Sequence, residues 1–172
     1  SRWNPDAGRA SAPTTMTTRT PLEILVDSAA QIAALYAASL LLPFAIDKLT
    51  GTGSSIEGFA QIGAGIGVNP TFFRYFVGLQ ELAVSVGLAA GVFAFAPVGP
   101  LLQGLARLGI RLGAPGLVAT MLGALATEFY VRPGQQDWLV ALALRLLAFG
   151  VPLTIWSVAR FERLWLRGRR AG

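Results

Sequence analysis

The stretch SAAQIAALYAASLLLPFAI, Ser28 to Ile46, decides the fold. It lies between Asp27 and Asp47 and carries no charge. As a helix of about 19 residues rising about 1.5 Å each, it is close to the roughly 30 Å of hydrocarbon that a spanning helix must cross. Just before it, Thr20-Pro21-Leu22-Glu23 reads as a helix start: Thr20 can cap, Pro21 suits the first helical position and Glu23 completes a capping box. Ser28–Ile46 is therefore span one. It is too long for the apolar core of a signal peptide, and further spans follow.

Composition agrees with this start. Of the 172 residues, 53% are hydrophobic and 13% charged, about half the charged fraction of a soluble domain. Cys and His are both absent. That removes disulfides, thiolate and imidazole nucleophiles, and the commonest protein ligands for haem, iron-sulfur clusters and copper. No catalytic residues and no metal site are expected, and no cofactor of the chain's own; quinone, lipid or pigment contact is left to its surface. The net charge of +5 does not point to nucleic acid, because the basic residues collect between and after the apolar runs rather than along a polar domain.

Span two is read from Pro70 to Phe95 and opens with the interfacial aromatics Phe72, Phe73, Tyr75 and Phe76. Gly87 and Gly91 within it are spaced for close helix packing. Thr50 to Asn69, with six glycines, reads as a flexible loop with one short amphipathic turn; its Gly63–Gly67 run lacks the spacing of a phosphate-binding loop. After Pro97, Gly99 and Pro100, the recurrence of Leu101, Leu105, Leu108 and Leu112 suggests an amphipathic connector helix lying on the inner surface. Span three is placed at Pro115 to Val131 and span four at Trp138 to Trp156, joined by a polar turn, with Pro152 expected to kink span four.

Ten basic residues fall on one side of these spans and three (Lys48, Arg74 and Arg132) on the other. The positive-inside rule then places both termini in the cytoplasm. The expectation is an all-α integral membrane protein: a four-transmembrane-helix bundle, N-in and C-in, with residues 1–20 a polar cytoplasmic tail, 21–165 the transmembrane domain and 166–172 a basic tail. A bacterial inner membrane is the expected location.

Four charged residues, Arg74, Glu81, Glu128 and Arg145, fall inside the spans. Glu81 lies about 16 Å along span two from Pro70, and Arg145 about 10 Å along span four from Trp138. An isolated charge at such depth costs at least about 2.5 kcal/mol on insertion scales, so Glu81 is expected to face Arg145, with Gln80 or Glu128 as further partners. The pair is either a proton or ligand site or a structural pair fixing helix register. In span one, Asp27, Gln31, Ala34 and Ala38 mark a face that packs inward or on a partner, with Asp27 solvated near the inner interface.

Phe44-Ala45-Ile46-Asp47-Lys48-Leu49, Gly78-Leu79-Gln80-Glu81-Leu82 with Gly87-Leu88, and Met121-Leu122-Gly123-Ala124 together resemble the DoxX family of small four-span bacterial membrane proteins over roughly Leu35 to Ser157. The chain departs from that pattern at Ile46, in its longer N-terminal tail and in its long second connector. The resemblance implies association with membrane redox systems, carries over no catalytic residue, and matches Glu81 and Lys48 to family positions. The resulting expectation is a non-catalytic accessory subunit of a larger respiratory or photosynthetic complex whose other chains hold the cofactors. The alternatives are a quinone-interacting oxidoreductase subunit, using Glu81, Arg145 and the Phe72–Phe76 cluster, and a small-solute transporter.

Overall fold

The computed structural model describes residues 20–95, 99–133 and 137–171, with side chains as far as Glu162. The polar tail read at residues 1–20 lies outside these apart from Thr20. Five α-helices form: α1 Pro21–Thr50, α2 Gly53–Ile66, α3 Pro70–Ala90, α4 Pro100–Tyr130 and α5 Asp137–Ala171, with a 3₁₀ turn at Gly91–Phe95 after α3. No strand occurs among the described residues. Four of the helices, α1, α3, α4 and α5, are long and apolar enough to cross a membrane.

The start of α1 follows from its capping box: Glu23 N–H donates to Thr20 Oγ1 at 3.2 Å, and Thr20 N–H to Glu23 Oε2 at 3.1 Å. Its end follows from Gly51, whose φ of 73° is the left-handed cap conformation that favours glycine. Helix α1 packs on α3 and α5, and α4 packs on the same two, so the four long helices close a ring. All four contacts are antiparallel. Asp27 meets Arg160 and Tyr36 meets Phe149 between α1 and α5, while Gln80 meets Thr120 and Gly87 meets Gly109 between α3 and α4.

The core is built from small and medium side chains: Ala34, Ala37, Ala38, Leu41, Val84, Leu88, Ile110, Ala114, Leu117, Met121, Ala143 and Leu146. Large apolar side chains point outward instead, with Leu22 and Ile32 each 68% and Leu101 74% exposed. A water-soluble bundle places its bulkiest residues inside. Here lipid can solvate the outer face, and small inner residues let the helices approach closely. At the α3–α4 crossing a Cβ on Gly87 would stand 2.8 Å from the Gly109 carbonyl oxygen, and one on Gly91 2.7 Å from Ile110 Cδ1. The two backbones touch there.

Two sequence expectations need correction. The glycine-rich segment read as a flexible loop is the 14-residue helix α2. Its buried Ser55, Phe59, Ile62 and Gly63 share one face, which packs on α3, with the Phe59 and Phe73 rings 5.7 Å apart. Tertiary packing here outweighs the low helix propensity of glycine. Two of its glycines admit neighbours: a Cβ on Gly65 would stand 2.6 Å from Val131 Cγ1, and one on Gly58 3.2 Å from an Arg132 guanidinium nitrogen.

The separate connector helix is also absent, because Pro100 to Tyr130 runs as one helix through Pro115. Its buried stripe, Ala106, Ile110, Gly113, Ala114 and Leu117, continues across the supposed junction and packs on α3 and the 3₁₀ turn. The Leu101–Leu112 series is the outward face of that same helix. Helix α5 stays helical through Pro152 to Ala171.

Candidate functional site: the buried ion pairs

Glu81 lies in the middle of α3 on the face that also carries Arg74, Gly78, Ser85 and Leu88. That face receives the last turn of α1. A Cβ on Gly78 would stand 3.0 Å from Lys48 Cβ and 3.1 Å from Leu49 Cδ2, so the missing side chain lets α1 settle onto α3. Lys48 Nζ donates to Glu81 Oε2 at 2.7 Å and Oε1 at 3.0 Å, and to the Phe44 carbonyl at 3.5 Å. The ammonium has spent its three donors, and it stands 5.6 Å from the Phe44 ring centroid. A ligand reaching Glu81 has to displace Lys48.

The surroundings brace this pair. Arg74 donates to the Lys48 carbonyl, where a cation suits the negative end of the α1 dipole. Its guanidinium packs against Gly51, where a Cβ would stand 2.8 Å from it, and lies 4.5 Å from the Tyr75 ring centroid. One turn along α3, the Ser85 hydroxyl donates to the Glu81 carbonyl at 2.8 Å. On the α4 side Gln80 Nε2 donates to Thr120 Oγ1 at 3.0 Å, and Thr120 in turn to the Gly116 carbonyl. Polar contacts thus tie α1 to α3 and α3 to α4 at neighbouring positions.

At the opposite end of the bundle Arg160 on α5 meets Asp27 on α1 at 2.6 Å, with Glu23 3.8 Å away. Trp156 Nε1 donates to the other Asp27 oxygen at 3.3 Å. Asp27 is buried, held by α5 rather than solvated. A third pair, Glu128 with Arg132, closes the C-terminal end of α4. Glu128 Oε2 and Arg132 Nε are buried there without a hydrogen-bond partner.

Of the residues singled out in the sequence, Glu81 is paired and buried, but its partner is Lys48 and not Arg145. Arg145 is exposed on α5. The buried face of that helix is Ala143, Leu146, Gly150, Leu153, Ser157 and Arg160; Arg145 is two residues from Ala143, about 200° around the helix, and so turns outward. Similar depth along a helix does not set the direction a side chain faces. Glu128 likewise pairs with Arg132, just past the end of α4, and Gln80 meets Thr120. The components proposed for a quinone cleft are not gathered: Glu81 is buried, Arg145 is exposed, and Phe72 and Phe76 stack on each other at 6.4 Å on an outward face, 70% and 54% exposed.

In the sequence Arg74, Arg132 and Arg160 read only as orientation charges, and Lys48 as one that also matches a position of the DoxX pattern. A signal for Lys48 exists in the sequence: Asp47-Lys48-Leu49-Thr50-Gly51 is the last turn of a helix with a glycine cap, which places Lys48 within the helix rather than beyond it. Among the described residues no group of three or more His, Cys, Asp or Glu is placed to hold a metal ion. No family model, curated protein or solved structure matches the chain.

Proposed function

We propose that the chain is a non-catalytic accessory subunit of a larger membrane complex, of the respiratory or photosynthetic redox kind that the DoxX resemblance implies. One observation carries the reading: Asp27, Glu81 and Glu128, the carboxylates buried in the long helices, are each committed to a cation of this same chain. The Lys48–Glu81 and Arg160–Asp27 pairs bolt α1 to α3 and to α5, and Arg132–Glu128 closes the end of α4. A group permanently paired in low dielectric does little proton or ligand chemistry. The work of such a protein then lies on its surface, where large apolar side chains meet lipid and neighbouring chains. In the accompanying topology both termini face the cytoplasm and α2 lies on the outer side, so that a reporter fused after Gly172 is cytoplasmic and one inserted at Ser54 is outside.

The test is extraction from native membranes in mild detergent. The chain co-migrates with a larger pigmented or haem-containing assembly, and separated from it shows no visible cofactor absorbance. A solitary monomer that moves a solute or turns over a quinone contradicts the proposal.

A further inference from the structure

Of the charged side chains within the spans, Arg74, Glu81 and Glu128 are engaged inside the bundle and Arg145 is not. It is exposed on α5, about 12 Å along the helix from Asp137 at about 1.5 Å per residue. Among the described residues it makes neither a hydrogen bond nor an ion pair. A guanidinium keeps its charge and its five donors at any accessible pH. Inside a membrane such a group faces the bundle interior, a polar cavity or a counter-charge, and the interior of this bundle is closed to it.

The same face shows what would fit. One turn on either side of Arg145 stand Ala141 and Ala148, both exposed, followed by exposed Pro152. Small residues flanking the arginine allow another helix to come close. Pro152 has no N–H to offer the Ala148 carbonyl four residues earlier, which leaves an acceptor on this face one turn deeper than the charge. A lipid headgroup reaching down to Arg145 leaves that carbonyl behind, whereas a helix lying along α5 can serve both.

A second copy of this chain does not supply the partner. Its exposed carboxylates, Glu57 on α2 and Asp137 and Glu162 towards the two ends of α5, lie away from the depth of Arg145; those inside its long helices, Asp27, Glu81 and Glu128, are held by Arg160, Lys48 and Arg132, and two α5 helices packed side by side would set Arg145 against Arg145. We propose that the Ala141–Arg145–Ala148–Pro152 face docks a transmembrane helix of a different protein, one that presents an Asp or Glu carboxylate to Arg145. This rests on the reading of the chain as an accessory subunit and adds to it the face used and the chemistry of the neighbour.

The experiment uses the full chain in its native membrane, with a photo-cross-linking phenylalanine derivative in place of Ala141 or Ala148, and a control at Val86 on the exposed face of α3. Both α5 positions should give an adduct with the same membrane protein, mapped by mass spectrometry to a transmembrane segment containing Asp or Glu, and Val86 should not. Arg145→Glu should lower the adduct at least tenfold, and changing the mapped carboxylate to Lys should restore it. Adducts with lipid only, adducts between two copies, or co-migration with the complex that Arg145→Glu leaves intact each overturn the docking face while the accessory-subunit reading stands. An Arg145→Glu chain that fails to fold also contradicts the proposal, which gives Arg145 no partner inside the chain. A wild-type chain that migrates alone defeats the underlying reading instead.

Discussion

Glu81 on α3 and Arg145 on α5 are opposite charges set well inside long apolar helices, and they meet opposite fates. Glu81 points into the seam with α1, where Lys48 takes both its oxygens and Gly78 gives up its side chain to let the helices touch. Arg145 points away from the bundle, between two alanines, with no partner among the described residues. The contrast separates charges that hold the fold from a charge that the fold leaves available. Depth in the membrane raises the cost of a charge, but the helix face decides who compensates it.

The largest expected effect lies at the Glu81 seam. Glu81→Ala leaves Lys48 uncompensated at the end of α1 and should cost about 3–5 kcal/mol, read as the shift of the unfolding midpoint in mixed detergent micelles. A midpoint unchanged by this substitution would mean that the seam is not held by the pair. Next comes Gly87→Val, which drives a branched side chain into the Gly109 backbone; overpacking of this kind costs about 1–3 kcal/mol. Full stability there would remove the close α3–α4 crossing.

Asp27→Ala removes the acceptor of Arg160 and Trp156 and should cost about 2 kcal/mol. The loss stays below that at Glu81 because Glu23 is near enough to inherit the guanidinium. Combining it with Glu23→Ala should deepen the loss, and strict additivity would deny Glu23 that role. The smallest effect is expected for Arg145→Leu, within about 0.5 kcal/mol of wild type for the isolated chain, as for a surface position away from internal contacts. Its consequence should appear in the complex and not in the monomer.

Much of the frame was legible in the sequence. The 19-residue charge-free run, the Thr20 capping box and the aromatic opening of span two have direct physical causes, and each stands in the structure as a helix or a helix start. Inter-helix pairing was less legible, for a reason particular to this composition. In α4 and α5 both the lipid-facing and the core-facing sides are apolar, so hydrophobic periodicity does not tell them apart; Leu144 is exposed and Leu146 buried in near-identical surroundings. Size is the better guide here, as Ala34, Ala37, Ala38, Gly87, Gly91 and Ala143 line the interior. The glycines of α2 were read by their propensity, while their role is to admit Arg132 and Val131. Lys48 falls outside a span that closes at Ile46 with the last uncharged residue, whereas Gly51 is the residue that ends the helix.

Double-mutant cycles centred on Glu81, measured as unfolding free energies in the same micelles, test most directly whether the buried carboxylate belongs to α1 or to α5. Glu81→Ala combined with Lys48→Ala should be less damaging than the two losses added, with a coupling of about 2 kcal/mol or more, because removing both charges spares the uncompensated one. Glu81→Ala combined with Arg145→Ala should be additive within about 0.5 kcal/mol. A strong coupling to Arg145 and none to Lys48 would reverse the assignment and, with it, the case for an outward-facing charge on α5.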